Sequence, residues 1–203
     1  MKTKKLLLVM SFLFIITGMG GCDDKSDDLV WKISPESGQT VIQNEVDGII
    51  FKFCLLNEAG NPATVFKEGE NFTFYFSVTN NRNKKLFFAP DFAYSNENGF
   101  CDVYTSDGQN IGMPYKFLRA LMIGSGAYPF ESGESKVFQV QWTDNRDAPW
   151  NWEKGTYESS HQAPLIKGHY YTEFKHQFWF DGTSDNSDII TDILNFKINF
   201  KIE

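Results

Sequence analysis

The sequence predicts an all-β protein, an immunoglobulin-like antiparallel β-sandwich, and three observations carry that prediction. The first is a period of two, clearest where Phe72, Phe74, Phe76 and Val78 alternate with Thr73, Tyr75, Ser77 and Thr79. Side chains of a strand point alternately to its two faces, so this pattern puts the phenylalanines on one buried face. The second is the punctuation between such segments: Glu58-Ala59-Gly60-Asn61-Pro62, Asn80-Asn81-Arg82-Asn83, Ser106-Asp107-Gly108-Gln109 and Glu131-Ser132-Gly133-Glu134-Ser135. Gly and Asn tolerate left-handed geometry and Pro cannot donate to a ladder, so these are turns. The third is composition, 16% aromatic with 20 phenylalanines, which suits a pleated, half-buried surface. Short strands at this spacing, with little helical patterning, make a sandwich.

An export signal precedes the sandwich. Lys2, Lys4 and Lys5 lead into the apolar run Leu6–Ile16, and Thr17-Gly18-Met19-Gly20-Gly21 sets small residues before Cys22. A charged start, an apolar middle and small residues at the cut mark residues 1–21 as a secretory signal. The apolar run is shorter than a comfortable bilayer span. Gly20-Gly21-Cys22 resembles a bacterial lipobox, with Met19 where an aliphatic residue is usual. That resemblance implies a cut just before Cys22 and lipidation of its thiol. The next residues, Asp23-Asp24-Lys25-Ser26-Asp27-Asp28, resemble the surface-export signal of Bacteroidete-type lipoproteins and also read as a solvated tether. Together they imply a lipid-anchored protein on the outer membrane, exposed at the cell surface, with the membrane as a partner through its anchor. Several acyl chains contribute about 0.8 kcal/mol per buried methylene, enough for durable anchoring.

The formal net charge is −7, and removal of residues 1–21 takes away three lysines and no acids, leaving −10. So acidic a chain repels nucleic acid and anionic lipid, and neither is expected as a partner. The remaining length suits one domain with a sizeable core.

In chain order, residues 22–45 read as an acidic tether and linker, with room for a short strand at Leu29–Ile33, and residues 46–203 as the sandwich. Gly48–Leu56 is the first firm strand, with Ile49, Phe51, Phe53 and Leu55 facing inward. Ala63–Phe66 is a short edge piece, Phe72–Thr79 the central strand, and Lys85–Ala89 a strand stopped by Pro90. Phe100–Thr105 follows, then an ambiguous stretch at 115–123 that suits a strand or a short helix. Lys136–Trp142 alternates again, Gly168–Phe180 makes a long strand, and Phe196, Ile198, Phe200 and Ile202 close the chain in a sheet. Cys54 lies on the opposite parity to Phe51 and Phe53, while Cys101 shares that of Val103. The two read as buried free thiols rather than as a bridge.

Several of these blocks follow a family order. Phe72–Asn81 with Lys84–Phe88, then Cys101-Asp102-Val103-Tyr104-Thr105-Ser106-Asp107-Gly108, then Glu131–Ser135 with Trp142, then Leu165-Ile166-Lys167-Gly168-His169-Tyr170 resemble the BsuPI-type proteinase inhibitor domain. The resemblance spans about residues 71–180 and implies a β-sandwich with inhibitory activity. The insertion between Trp142 and Leu165 departs from the pattern, as does export, since the named family member acts inside the cell. Phe51–Asn57 with Glu68-Gly69-Glu70-Asn71 also resembles surface lipoproteins of gut Bacteroidete type.

Catalysis finds no motif. There is no His-Glu-x-x-His, no Gly-x-Ser-x-Gly, no phosphate-cradling glycine loop and no cysteine set at zinc spacing, so neither an enzyme nor a cofactor is expected. His169 and His176 fall on opposite faces of one strand and cannot share a metal. Asp181–Asp188 offers oxygen ligands without the glycine and late glutamate of a calcium loop, and reads as a solvated turn. The segment that draws attention is 143–161, a long stretch with Trp150, Trp152 and Tyr157 beside Asp147 and His161. Flat aromatics with hydrogen-bonding neighbours suit sugar rings and protein hot spots alike, and they also suit the open end of a sandwich. These five residues are the candidate ligand site of a non-catalytic binding module for a glycan or a protein partner. The alternatives are a proteinase inhibitor, or an accessory subunit whose sheet edge pairs with a partner strand.

Overall fold

The computed structural model describes residues 29–94, 98–114, 127–143, 150–151, 156–157, 162–182 and 188–203. The described elements are strands apart from two short 3-10 turns, and all but one separate two-stranded hairpin stack as the two sheets of an all-β sandwich. One sheet has four antiparallel strands in the order β10 (Ser135–Gln141), β5 (Thr73–Asn80), β3 (Ile49–Leu56) and β2 (Ile42–Val46). The phenylalanine strand β5 is interior to it, as the alternation predicts.

The second sheet is built on the long hairpin of β13 (Gly168–Asp181) and β14 (Ile189–Ile202). β6 (Leu86–Phe88) and β7 (Val103–Thr105) both run antiparallel to β13, the first opposite its C-terminal end and the second opposite its N-terminal end. They are two halves of one strand position, interrupted where Pro90 removes a ladder donor. β1 (Leu29–Ile33) and β4 (Val65–Phe66) lie parallel along the other side of β14. β8 (Asn110–Gly112) and β9 (Tyr128–Phe130) extend the sheet beside β7 and β6. The chain thus passes from β5 across to β6, back to β10, and across again to β13. That is the Greek-key route of an immunoglobulin-like sandwich.

The core between the sheets is an aromatic lattice. Phe76 packs edge-to-face on Phe174 and Phe196, both at 5.3 Å between ring centres, and on Phe92 at 5.2 Å. Phe92 comes from the 3-10 turn at Asp91–Tyr94, inside the interruption between β6 and β7, and is fully buried. The interruption therefore feeds a ring into the core. Edge-to-face pairs add about 0.5–1.5 kcal/mol each beyond area burial, so the lattice specifies geometry as well as stability.

In the stretch 22–45, expected as tether and linker with room for a short strand at Leu29–Ile33, that strand is present and a second, Ile42–Val46, follows it. β1 pairs with β14, and β2 pairs with β3. The reason is a two-residue hairpin: Asp47 and Gly48 both have positive φ, 50° and 78°, which matches the twist of the flanking strands. A β-carbon on Gly48 would sit 2.7 Å from Arg82 Cγ, so glycine is required on two counts. Cys54 and Cys101 are both free and buried. Burial pushes the Cys54 thiol up to about 11 and lifts that of Cys101 well above its usual value.

Candidate functional site

Of the five residues expected to bind ligand, two are described, and the structure sets them side by side. Trp150 and Tyr157 are register partners in a separate hairpin, β11 (Trp150–Asn151) and β12 (Thr156–Tyr157). Asp147, Trp152, His161 and the lipidation residue Cys22 lie outside the described residues.

A different surface presents itself on the outer face of the second sheet. Along β13 the inward residues Tyr170, Thr172, Phe174, Phe178 and Phe180 are buried, and the outward row is Tyr171, Glu173, Lys175, Gln177, Trp179 and Asp181. Trp179 belongs to the solvent row and is 59% exposed. Its cross-strand partner Ile190 is 60% exposed, and Ile193, opposite Gln177, is 42% exposed.

A β-bulge creates this apolar group. Between the pairs Gln177–Ile193 and Trp179–Ile190, only Phe178 stands on β13 while Thr191 and Asp192 stand on β14. The extra residue switches the parity of β14, so Ile190 and Ile193 both face outward although three positions apart. Thr191 closes the defect: its Oγ1 accepts the Phe178 N–H at 3.0 Å, and its carbonyl accepts Gln177 Nε2 at 2.9 Å. Trp179 thereby stands over a shallow groove of about 450 Å³, lined also by Phe87, Ala89, His176, Asp181 and Ile190. An open indole beside a carboxylate, an amide and an imidazole is a platform with hydrogen-bonding groups at its rim.

The N-terminal end of the same face is polar. The Tyr104 and Tyr171 rings stack at 4.9 Å and 11°, and Lys197 Nζ sits 3.8 Å from the centre of the Tyr171 ring. Since Tyr104 and Lys197 come from strands on opposite sides of β13, Tyr171 is flanked by both. Glu173 accepts from Lys197 Nζ at 2.8 Å and from Asn195 Nδ2 at 2.8 Å. Burial works to raise its carboxyl, but these bonds and the charges of Lys197 and Lys175 outweigh it and hold the group below its ordinary value. Asp102 is the opposite case: burial raises its carboxyl despite hydrogen bonds from Tyr104 and Asn110. With the flat faces of Tyr171 taken by its neighbours, this end offers polar edges. The open aromatic face belongs to Trp179, about 26 Å along the strand at about 3.3 Å per residue.

Trp179 was legible as an exception. A tryptophan on the polar parity of Gly168–Phe180 is what an outward platform looks like in sequence. The isoleucines were not, because the bulge that turns them outward leaves no mark in the alternation.

No family model, no curated protein and no solved structure matches the chain. The resemblance to the BsuPI-type domain therefore rests on the quoted residues alone. Among the described residues there is no group of three or more His, Cys, Asp or Glu side chains placed to hold a metal, and no helix long and apolar enough to cross a membrane.

Proposed function

We propose that this chain is a non-catalytic binding module, lipid-anchored through Cys22 at the outer cell surface, that holds a glycan on the outer face of its second sheet. The observation that carries the proposal is the exposed Trp179 ring in its groove. An indole in water on a rigid strand, flanked by Phe87 and Ile190, offers the flat apolar surface that a sugar's CH face stacks on. Asp181 and Gln177 beside the indole are the groups that would partner ring hydroxyls. Trp179 is exposed together with Ile190 and Ile193, and a contiguous apolar group of this kind marks an interaction surface where a singly exposed residue would not. The segment 143–161 with Trp150, Trp152 and Tyr157 is retained as a second aromatic contact.

The test is tryptophan fluorescence of the chain from Asp23 onward during titration with a panel of soluble polysaccharides, with Trp179→Ala in parallel. A saturable response that Trp179→Ala weakens at least tenfold supports the reading. A response unchanged in a folded Trp179→Ala variant moves the site elsewhere. No response to any polysaccharide, combined with inhibition of an added proteinase, turns the assignment to the inhibitor implied by the family resemblance.

A further inference from the structure

β10 is the open margin of the four-stranded sheet, with β5 on one side and no strand of the described residues on the other. Trp142 N–H donates to the Phe72 carbonyl and Asn80 N–H to the Glu134 carbonyl, so even-numbered residues turn their backbone groups toward β5. By the alternation of an antiparallel ladder, Ser135, Val137, Gln139 and Gln141 turn theirs to the open side. Four N–H and four C=O groups there form an unused template.

The other margins are protected in the usual ways and this one is not. β9 is three residues long with Pro129 in its middle, β4 has two residues, β8 has three, and the five-residue β1 and β2 carry Lys32 and Glu45. Short length, proline and charge each discourage strand addition. β10 runs seven residues without proline, glycine or bulge, and Val137–Gln141 has no charge. Its one charged residue, Lys136, stands at the start with its Nζ 2.6 Å from Glu134.

We propose that this edge pairs antiparallel with the same edge of a second copy, joining two four-stranded sheets into one continuous eight-stranded sheet. The sequence is self-complementary about Phe138. Val137 of one copy then meets Gln139 of the other, and Ser135 meets Gln141, all four being residues whose backbone groups are open. Phe138 meets Phe138, and Lys136 meets Val140, so no like charges stand opposite. Phe138 and Val140 are only partly buried against the core in one copy, and a second strand covers them. The chain as a whole is acidic, −7 in full, and two copies repel over most of their surface. β10 contains no acidic residue, and the adjacent Glu134 is neutralised by Lys136. It is where two copies can approach.

The proposal is independent of the glycan reading, since β10 and Trp179 belong to different sheets. Every described strand lies within residues 29–203, so the chain from Asp23 onward is the form to test. Sedimentation equilibrium across micromolar to millimolar concentrations should give twice the chain mass. Gln139→Pro deletes an N–H that bonds nothing within one copy, and should return the chain to monomer with unchanged circular dichroism. Val137→Lys adds two positive charges across the pairing and should weaken the dimer at least tenfold, which keeps the test decisive if the proline variant does not fold. A chain monomeric at every concentration overturns the proposal and leaves the edge to a strand from another protein. Dimers that persist undiminished in both variants overturn it in favour of another face.

Discussion

Asn80 ends β5 on its inward side, fully buried at 0% exposure, opposite Ile49 of β3. Its side chain makes three hydrogen bonds: Nδ2 donates to the Lys84 carbonyl at 2.8 Å and to the Phe130 carbonyl at 2.9 Å, and Oδ1 accepts the Arg82 N–H at 3.1 Å. Phe130 belongs to β9 in the other sheet, so this amide ties the two sheets together at one end of the sandwich. Asn80→Ala removes all three bonds. Each contributes about 1 kcal/mol net, and leaving the buried Phe130 carbonyl short of a donor adds a penalty of about 1–3 kcal/mol, so the loss is about 4–6 kcal/mol. A domain holds about 5–15 kcal/mol in all. With a urea slope of about 2 kcal/mol per molar, the unfolding midpoint should fall by about 2–3 M, read by intrinsic tryptophan fluorescence. Asn80→Asp sharpens the test. It keeps the shape but points a carboxylate at two carbonyls, which raises the carboxyl's folded-state pKa above its unfolded value of about 3.9. A raised acid loses stability as pH climbs from the unfolded pKa through the folded one, so this variant should be least damaged near pH 4 and worst at neutrality. A midpoint shift below about 0.3 M for Asn80→Ala, or an Asn80→Asp variant indifferent to pH, would refute the role given to this amide.

Two further outcomes follow from the buried ionisable groups. Cys54 and Cys101 should resist Ellman's reagent at pH 8 in the native chain from Asp23 onward, because reaction needs an exposed thiolate and burial suppresses both conditions. Two thiols should titrate on denaturation without reductant, and a count of zero there would mean a bridge. For Asp102, the folded-state carboxyl lies above its ordinary value because of burial, so the native state holds its proton more tightly than the unfolded chain. Its contribution is full below the ordinary carboxylate range and is lost as pH rises through the raised value. Asp102→Asn should therefore gain on the parent protein as pH rises above about 4, and parallel stability curves across pH 3–8 would contradict that sign.

How far the sequence reaches is clearest strand by strand. β3, β5, β10, β13 and the C-terminal half of β14 are foreseeable because each buries one face, and burying one face forces a period of two on its residues. β1 coincides with the short strand expected at Leu29–Ile33, whereas β2 shows only Ile42 and Val46 as inward markers, so its alternation is too sparse to stand out. The Asp47-Gly48 turn was the signal for it, a hairpin dipeptide whose meaning depends on recognising strands on both sides. Phe100–Thr105 shortens to β7 because Cys101 takes a positive φ of 66°, a conformation no parity rule anticipates.

The sequence by itself determined an all-β sandwich with a phenylalanine core, together with the inward face of β3, β5, β10, β13 and the C-terminal half of β14, because desolvation of apolar side chains is a local property repeated along the chain. It also supports the expectation of export and lipid anchoring, through a short peptide read before any fold exists. Only the tertiary structure decided which outward surfaces matter. The bulge at Thr191–Asp192 brings Ile190 and Ile193 beside Trp179, the split strand β6–β7 delivers Phe92 to the core, and the order of the described strands leaves β10 at a margin. Each depends on register and on which strands lie side by side, and those are set by pairings between residues far apart in the chain.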